Sequence, residues 1–279
     1  MAVKSLTEVE TTTTTRKRRV KVDPLATAFR ADKTERNDPP IKMPRDWQDA
    51  EEVVGSGTDR VLLHGIPGTG KTYAGLHYPI GGVVPQVYSI YLGEETAAFQ
   101  VVGTDKMEDG SMIRRDGPAL LFWATGGRLV INELDHAGGD ALDALLWICD
   151  DAKTRCKGVT LPDGDTVYPN EDGLFQILAT MNGEPEDLPE ALAERFITRV
   201  RITQPHPLAI RALPRHLWNI ATELTNESTP ASQRISIRQF RSFADLIERG
   251  VPSGTAARAA FHHRADELLK TITLAAAPA

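Results

Sequence analysis

The chain carries the stretch Gly65-Ile66-Pro67-Gly68-Thr69-Gly70-Lys71-Thr72, which fits the P-loop pattern G-x-x-x-x-G-K-[ST] at every fixed position. A short apolar run, Val61-Leu62-Leu63, precedes it, and residues 73–77 can continue as a helix. In this strand–loop–helix context the loop amides and the helix N-terminus point at an anion. We therefore expect residues 65–72 to bind the phosphates of ATP, with Lys71 at the β- and γ-phosphates and the Thr72 hydroxyl on Mg²⁺.

The composition is that of an ordinary globular protein with a mildly acidic charge balance. Of 279 residues, 41% are hydrophobic and 25% are charged, and the formal net charge is -6. This balance weighs against a dedicated nucleic-acid binder, which usually carries a basic surplus. Two cysteines, Cys149 and Cys156, are too few for a disulfide framework or a four-cysteine zinc site. Without a membrane-spanning apolar run or a signal peptide, we expect a cytoplasmic protein that does not contact membranes.

Residues 1–40 differ in composition from the rest of the chain and are predicted to form a disordered basic tail. They contain a threonine run and the cluster Arg16-Lys17-Arg18-Arg19-Val20-Lys21, with almost no aromatic residues. The cluster allows two interpretations, a solvated tail or a contact with an acidic partner or nucleic acid.

Residues 41–204 alternate strand-like apolar runs with helical segments, which predicts a parallel sheet covered by helices on both faces. Two Asp-Gly turns, Asp109-Gly110 and Asp163-Gly164, predict hairpins inserted between these elements. Residues 205–279 show only helical periodicity and are predicted to form a small all-helical lid domain. The predicted fold class is therefore an α/β P-loop NTPase domain followed by a helical lid.

Polar side chains follow two of the predicted strands of the sheet. Asn132-Glu133 follows the apolar run 129–131, and Asn182 follows the run 175–179. Functional groups collect at the carboxyl ends of the strands of a parallel sheet. We expect these side chains and the P-loop to converge on one γ-phosphate.

In this ordered set of motifs the chain resembles the MoxR group of AAA+ ATPases, and most closely the branch that includes CbbQ, NorQ and CobS. The matching stretches are residues 65–72, 128–137, 175–182, 188–196 and 236–240, together with the two hairpins. The resemblance covers roughly residues 45 to 270, and the second hairpin is similar to the insertion that defines this group.

The resemblance implies a role for each matching residue. Glu133 is similar to the Walker B glutamate, which orients or activates the attacking water, and Asn182 is similar to sensor 1. Arg195 is similar to the arginine finger that acts on the nucleotide of a neighbouring subunit, and Arg238 to sensor 2. Neighbouring arginines leave alternatives open: Arg199 and Arg201 for the finger, and Arg234 and Arg241 for sensor 2.

One position departs from the pattern of the family. Where the family usually has Asp-Glu, this chain has Asn132-Glu133. The aspartate normally holds Mg²⁺, often through a water, so the metal-binding pair implied here is Thr72 with Asn132. Asparagine keeps an acceptor oxygen but lacks the negative charge, and hard cations prefer carboxylates. We therefore expect weaker Mg²⁺ binding and slow hydrolysis.

The resemblance implies a chaperone-like ATPase that forms a homohexameric ring and remodels or activates a protein client. Such proteins often act with a von Willebrand A domain partner, as in metal or cofactor insertion. Two other functions stay open. An ATP-gated assembly scaffold with low turnover is suggested by Asn132, and a nucleic-acid motor is suggested by the basic cluster but opposed by the acidic net charge.

Overall fold

The computed structural model describes residues 23, 25, 27–29, 40–150, 158–160, 164–170 and 173–276. The basic cluster at residues 16–21, Cys156 and the beginning of the second predicted turn lie outside these ranges.

A parallel sheet forms the centre of the first part of the chain. Its strands are β1 Arg60–Gly65, β2 Val87–Tyr91, β5 Gly127–Asn132, β8 Phe175–Thr180 and β9 Thr198–Ile202. Within the described residues the five strands are ordered β2-β5-β8-β1-β9, and every pairing is parallel. The predicted parallel sheet is therefore confirmed, with the P-loop strand β1 in its interior.

Two antiparallel hairpins are inserted between elements of the sheet, as predicted. The first joins β3 Gly103–Glu108 to β4 Ser111–Asp116 through the Asp109-Gly110 turn. The second joins β6 Val159–Thr160 to β7 Thr166–Val167 and precedes β8.

Helices cover both faces of the sheet because consecutive residues of its buried strands are apolar and successive side chains point to opposite faces. Val61 and Leu63 pack with α1 Arg45–Gly55 and α2 Lys71–His77 on one face. Leu62 points to the other face, in the core that includes residues of α3 Ala98–Val102, α4 Pro118–Thr125 and α5 Gly139–Ile148. The unbroken apolar runs of the strands thus account for the three-layer arrangement.

The buried face of α5 is formed by small as well as large apolar side chains. Leu145 is buried, but Leu142 and Leu146 are only partly buried. Ala141 and Ala144 are buried instead, because small side chains let α5 lie close to the rest of the core.

After the short helix α6 Glu190–Ala193 and strand β9, the described chain is helical. The helices are α7 Pro207–Arg211, α8 Arg215–Leu224, α9 Ile237–Glu248, α10 Ser253–Phe261 and α11 Ala265–Ala275. Phe240, Phe243 and Phe261 form the aromatic centre of their core, with ring centroids 5.0 to 5.5 Å apart for the two pairs that include Phe261. We call α7 to α11 the helical region.

Part of the predicted disordered tail packs on this helical region, so the prediction is wrong for that segment. Leu25 and residues 27–29 are helical, and Leu25 and Phe29 are buried in the helical core. The Asp23 carboxylate accepts a hydrogen bond of 2.8 Å from the backbone N–H of Ser253, at the start of α10. Burial of these two apolar side chains in the helical core stabilises this position of the segment. Among the described helices, none is long and apolar enough to cross a bilayer.

Candidate active site

The P-loop connects β1 to α2 and needs glycine at two positions for geometric reasons. Gly65 has φ +117°, and a Cβ there would overlap the carbonyl oxygen of Ile202 on β9. Gly70 has φ +111°, and a Cβ there would lie 3.1 Å from Cβ of His206. The loop is therefore enclosed by β9 and by the residue that precedes α7, and a side chain at either position would displace it.

Lys71 is buried at the first position of α2 and is bonded to its own loop. Its Nζ donates hydrogen bonds to the carbonyl oxygens of Gly65 (3.0 Å) and Ile66 (2.7 Å) and to Oδ1 of Asn182 (3.2 Å). Burial lowers the pKa of Lys71 to about 8; the charge of Asp135 acts in the opposite direction, and that of Arg238 adds to the lowering. The ammonium thus lies in a site where a further negative charge would be favourable.

The strand-end residues converge on the P-loop as expected. Glu133 directly follows β5, and its backbone is left-handed with φ +60°, an uncommon conformation for a residue other than glycine. Glu133 and Asn182 line one cavity of about 510 Å³ together with the P-loop residues Pro67 to Thr72. The structure therefore brings the P-loop, Glu133 and Asn182 together.

Asn132 takes a different position from these residues. It is only 1% exposed, and its Nδ2 donates to Oγ of Ser89 (3.1 Å) and to the carbonyl oxygen of Ile90 (3.2 Å) on β2. Its Oδ1 accepts a hydrogen bond of 3.4 Å from the Thr180 hydroxyl. Asn132 is not among the residues that line the cavity, and its amide links three neighbouring strands.

The oxygen atoms that fit Mg²⁺ at the cavity wall are the Thr72 hydroxyl and the Glu133 carboxylate. Nearby, Oδ1 of Asp135 is buried without a hydrogen-bond partner. Among the described residues, no cluster of three or more metal-ligating side chains forms a site independent of a nucleotide. The donor set therefore fits a Mg²⁺ ion held jointly with phosphate oxygens, with Thr72 as the predicted ligand that faces the cavity.

The helical region closes the other side of the cavity. The apolar wall of the cavity is formed by residues of α7 and by residues after it. Arg238 and Arg241 on α9 form the charged wall of the cavity. Arg234, the other candidate for sensor 2, does not line the cavity; its guanidinium donates to the carbonyl oxygens of Thr229 and Glu227, each at 2.8 Å. The arrangement can hold a polyanion at the P-loop and an apolar group beside the helical region.

His206 is a cavity residue that sequence reasoning missed. Its backbone N–H donates to the carbonyl oxygen of Thr69 (2.7 Å), and its Nδ1 accepts from the N–H of Leu208 (3.1 Å), capping α7. Nε2 therefore carries the proton and donates to the Tyr78 hydroxyl at 2.9 Å. Burial lowers the pKa of His206, which keeps the ring neutral in this role. The sequence does contain a signal for the capping role, because His206 directly precedes Pro207 and proline is common at the first position of a helix.

Arg128 is a second residue that sequence reasoning missed, and it fixes the far end of α2. Its Nη1 donates to the carbonyl oxygens of Gly75 (2.9 Å) and Tyr78 (2.7 Å), and its Nε donates to Oε1 of Gln176 at 2.7 Å. Burial lowers the pKa of Arg128 to about 10. A cation at a helix C-terminus is favourable, so Arg128 on β5 anchors the helix that begins with Lys71.

The three candidates for the arginine finger lie away from the cavity and are bonded within the chain. Arg195 donates to the carbonyl oxygens of Leu146 (2.8 Å) and Ala191 (2.6 Å). Arg199 donates to the carbonyl oxygens of Phe196 (2.8 Å) and Ala193 (2.7 Å). Arg201 lies between the carboxylates of Glu184 (2.6 Å) and Glu227 (2.9 Å). A single chain therefore brings none of them to its own P-loop.

Comparisons with known proteins identify the α/β part of the chain. The family model of the AAA domain, dynein-related subfamily, matches residues 60–196, just under half of the 279 residues. This match spans the P-loop, Glu133, Asn182 and Arg195. With the observed sheet order and the helical region, it confirms the predicted fold class, an AAA+ P-loop NTPase sheet followed by helices. The narrower resemblance to the MoxR group stays a prediction.

Several solved structures with low sequence identity are similar to this chain over most of its length. A structure of NtrX from Brucella abortus in complex with ATP has 16% identity and a TM-score of 0.47, over 90% of this chain and 61% of that chain. The RuvB Holliday junction branch migration motor of Thermotoga maritima has 15% identity and a TM-score of 0.45, over 83% of this chain and 70% of that chain. No curated protein matches the sequence.

Proposed function

We propose that this chain, which matches the family model of the AAA domain over residues 60–196, is a MoxR-like ATPase. In this proposal it binds and hydrolyses ATP to remodel or activate a protein partner. One observation carries the proposal. A single cavity is lined by Lys71, Thr72, Glu133, Asn182 and Arg238, the residue types that phosphoryl transfer requires.

Each of these residues has a task that its position supports. Lys71 binds the β- and γ-phosphates after leaving the loop carbonyls. Glu133 orients or activates the attacking water, and Asn182 places a polar group between that water and the γ-phosphate. Thr72 donates its hydroxyl oxygen to Mg²⁺, which when bound neutralises developing charge on the phosphate oxygens. Together these groups act mainly by positioning and by charge.

Assembly into a homohexameric ring is part of the proposal. Arg195, Arg199 and Arg201 are all directed at groups outside the cavity of their own chain, which supports a finger supplied to a neighbouring subunit. Arg195 is the preferred candidate because the family resemblance places the finger there. The client is a protein, which in the resembling family often carries a von Willebrand A domain.

A second candidate is an ATP-gated assembly scaffold with low turnover. The placement of Asn132 favours it, because the amide is used inside the sheet and offers Mg²⁺ no negative charge. In this case ATP binding changes the arrangement of the helical region or the ring, and hydrolysis only resets it slowly.

Both candidates are tested with Glu133→Gln protein, which should bind ATP without hydrolysing it. The immobilised variant is incubated with native extract with and without ATP, and Lys71→Ala protein serves as the control without nucleotide binding. We expect a partner retained only by Glu133→Gln protein with ATP. Retention independent of ATP, or equal retention by Lys71→Ala protein, would contradict nucleotide-controlled partner binding. The ATP hydrolysis rate of the unmodified protein then separates a remodelling ATPase from a scaffold.

A further inference from the structure

The segment that follows β8 carries Asn182 and lies against the beginning of the P-loop. We call residues 182–184 the Asn182 loop; within it, Gly183 forms an antiparallel bridge with Gly65. Among the described residues, the Asn182 side chain is bonded only to Nζ of Lys71, at 3.2 Å. Phosphate oxygens would compete for this ammonium, so bound ATP is expected to leave the amide without that partner. The position of the amide then depends on the groups that hold the loop itself.

Glu184, the last residue of this loop, is held by two residues of neighbouring strands. His64 on β1 and Arg201 on β9 are direct partners in the register of the two strands. Nη2 of Arg201 donates to Oε1 of Glu184 at 2.6 Å, and Nδ1 of His64 lies 3.6 Å from Oε2. Burial lowers the pKa of His64, against the opposing effects of the Gly183 backbone and the Glu184 charge. The imidazole is therefore neutral at pH 7, and Arg201 supplies the charge that balances Glu184.

The same nitrogen of Arg201 also bonds to the helical region. It donates to Oε1 of Glu227, between α8 and α9, at 2.9 Å, and the backbone N–H of Glu227 donates to the carbonyl oxygen of Thr203 at 2.8 Å. The Arg201 side chain is half exposed, so either ion pair by itself contributes little to stability. Without the guanidinium, however, the carboxylates of Glu184 and Glu227 would be left close together and would repel each other, with Glu186 as a further acid near His64.

We propose that Arg201 is a positioning residue for ATP hydrolysis, which holds the Asn182 loop against the P-loop through Glu184. This inference rests on the proposed function of the cavity, and it makes Arg201 act within its own chain rather than as a finger on a neighbouring nucleotide. Loss of the guanidinium lets the loop move away, so the Asn182 amide is less often in place at the γ-phosphate. ATP binding itself does not depend on Arg201, because Lys71 and the P-loop amides stay where they are.

Steady-state hydrolysis tests the inference on Arg201→Gln, Glu184→Ala and the double variant, with ATP affinity measured in a Glu133→Gln background. Arg115→Gln is the matched control, since Arg115 on the first hairpin is also exposed and bonded to a glutamate, Glu108, at 2.9 Å. We expect Arg201→Gln to lower kcat about tenfold or more, with ATP affinity and the thermal midpoint unchanged. Arg201→Lys should be intermediate, because lysine keeps the charge without the planar fork. The double variant should be no slower than the slower single variant, because Arg201 acts through Glu184.

Mixed rings separate positioning from the action of a finger. Arg201→Gln protein is mixed with Glu133→Gln protein, and a mixture of Arg195→Ala with Glu133→Gln is measured beside it. In the first mixture every subunit that keeps Glu133 lacks Arg201, so positioning within one chain predicts no gain in activity per Arg201→Gln subunit. A gain would assign Arg201 to the neighbouring nucleotide and overturn the inference. An unchanged kcat in Arg201→Gln protein, equal losses of kcat and ATP affinity, or additive effects in the double variant would overturn it as well.

Hydrogen exchange in the protein without nucleotide distinguishes failure of this inference from failure of the proposed function. We expect faster exchange in peptides that contain residues 182–184 in Arg201→Gln protein and no change in Arg115→Gln protein. Unchanged exchange in Arg201→Gln protein overturns the inference even where the unmodified protein hydrolyses ATP. If exchange becomes faster but the unmodified protein does not hydrolyse ATP, the proposed function fails and the role in hydrolysis fails with it, while the contact of Arg201 with the loop stands.

Discussion

Nζ of Lys71 lies 3.2 Å from Oδ1 of Asn182, which joins the P-loop to the end of β8. The same ammonium is held by the carbonyl oxygens of Gly65 and Ile66. Phosphate oxygens would compete for the ammonium, so ATP binding is expected to release the Asn182 amide. The released amide can then bond to the attacking water or the γ-phosphate, which couples binding of ATP to assembly of the hydrolytic site.

We predict that Asn182→Ala lowers the ATP hydrolysis rate on the order of 100-fold, because a donor aimed at developing charge is lost. ATP affinity should change only a few-fold, since Lys71 and the loop amides stay in place. Steady-state hydrolysis and ATP titration measure the two effects separately. Asn219→Ala, at an exposed position on α8, is the control. An unchanged hydrolysis rate in Asn182→Ala protein would contradict the role of Asn182.

The pKa of Lys71 predicts proton uptake when ATP binds. Burial lowers this pKa from 10.5 to about 8, and the phosphates should raise it again. Between pH 8 and 9 the free protein has therefore lost part of a proton that the complex keeps, and ATP affinity should fall as the pH rises through 8. Calorimetry in buffers of different ionisation enthalpy should give uptake of about half a proton at pH 8. No uptake in this range would contradict the prediction.

The lowered pKa of Lys71 also makes the free energy of unfolding of the free protein depend on pH. The folded-state pKa is below the unfolded value, so the unfolded chain binds more protons between pH 8 and 10.5. The contribution of Lys71 to the free energy of unfolding therefore increases with pH across this window. It is least favourable below pH 8, where the buried ammonium is charged in both states.

Asn132→Asp is predicted to raise Mg²⁺-dependent hydrolysis and to lower stability. A carboxylate restores the charge that Mg²⁺ prefers. The same change removes the Nδ2 donors to Ser89 and to the Ile90 carbonyl, at a cost of about 2 kcal/mol in the free energy of unfolding. Asn132→Ala loses the same donors without adding charge and is the control. If Asn132→Asp leaves both the rate and its Mg²⁺ dependence unchanged, the missing carboxylate does not limit turnover.

Arg195→Ala is predicted to keep ATP affinity but to lower hydrolysis by roughly 10³-fold, because an arginine finger acts only in the transition state. The specific activity of the unmodified protein should rise with protein concentration as rings form. Arg199→Ala is compared with it, since Arg199 is an alternative finger that also donates to two carbonyl oxygens of its own chain, and a rate defect only in Arg199→Ala would move the finger there. Equal losses of thermal stability in the two variants, with a rate defect only in Arg195→Ala, would separate a finger from a structural role.

Mixing variants tests whether Arg195 acts on a neighbouring subunit. Arg195→Ala and Glu133→Gln proteins are each expected to hydrolyse ATP poorly. In a mixed ring, an intact site forms where a subunit with Glu133 meets a neighbour with Arg195, so some activity should return. Constant specific activity down to concentrations where light scattering shows only monomer would contradict action between subunits.

The sequence predicts those parts of the molecule that depend on local patterns. The P-loop, the apolar strand around Leu62 and the two hairpins each follow from a few neighbouring residues. The convergence of Glu133 and Asn182 follows from one topological rule about parallel strands. These predictions needed no knowledge of long-range contacts.

The residues that sequence reasoning missed act through contacts between distant parts of the chain. His206 meets the P-loop only after the sheet and α7 are assembled, and Arg128 binds carbonyl oxygens about 50 residues away in sequence. Leu25 and Phe29 are buried only because the helical core, built from residues far away in the sequence, lies beside them. The sequence predicts Asn132 at the end of a strand, but no local pattern indicates that its amide bonds to β2.

Titration of ATP into the unmodified protein and Lys71→Ala protein tests the central claim most directly. Lys106→Ala, an exposed position on the first hairpin, serves as the control for loss of one lysine. The account predicts ATP binding by the unmodified and Lys106→Ala proteins, and affinity reduced on the order of 100-fold or more in Lys71→Ala protein. Equal ATP affinity in all three proteins would contradict the assignment of this cavity as a nucleotide site.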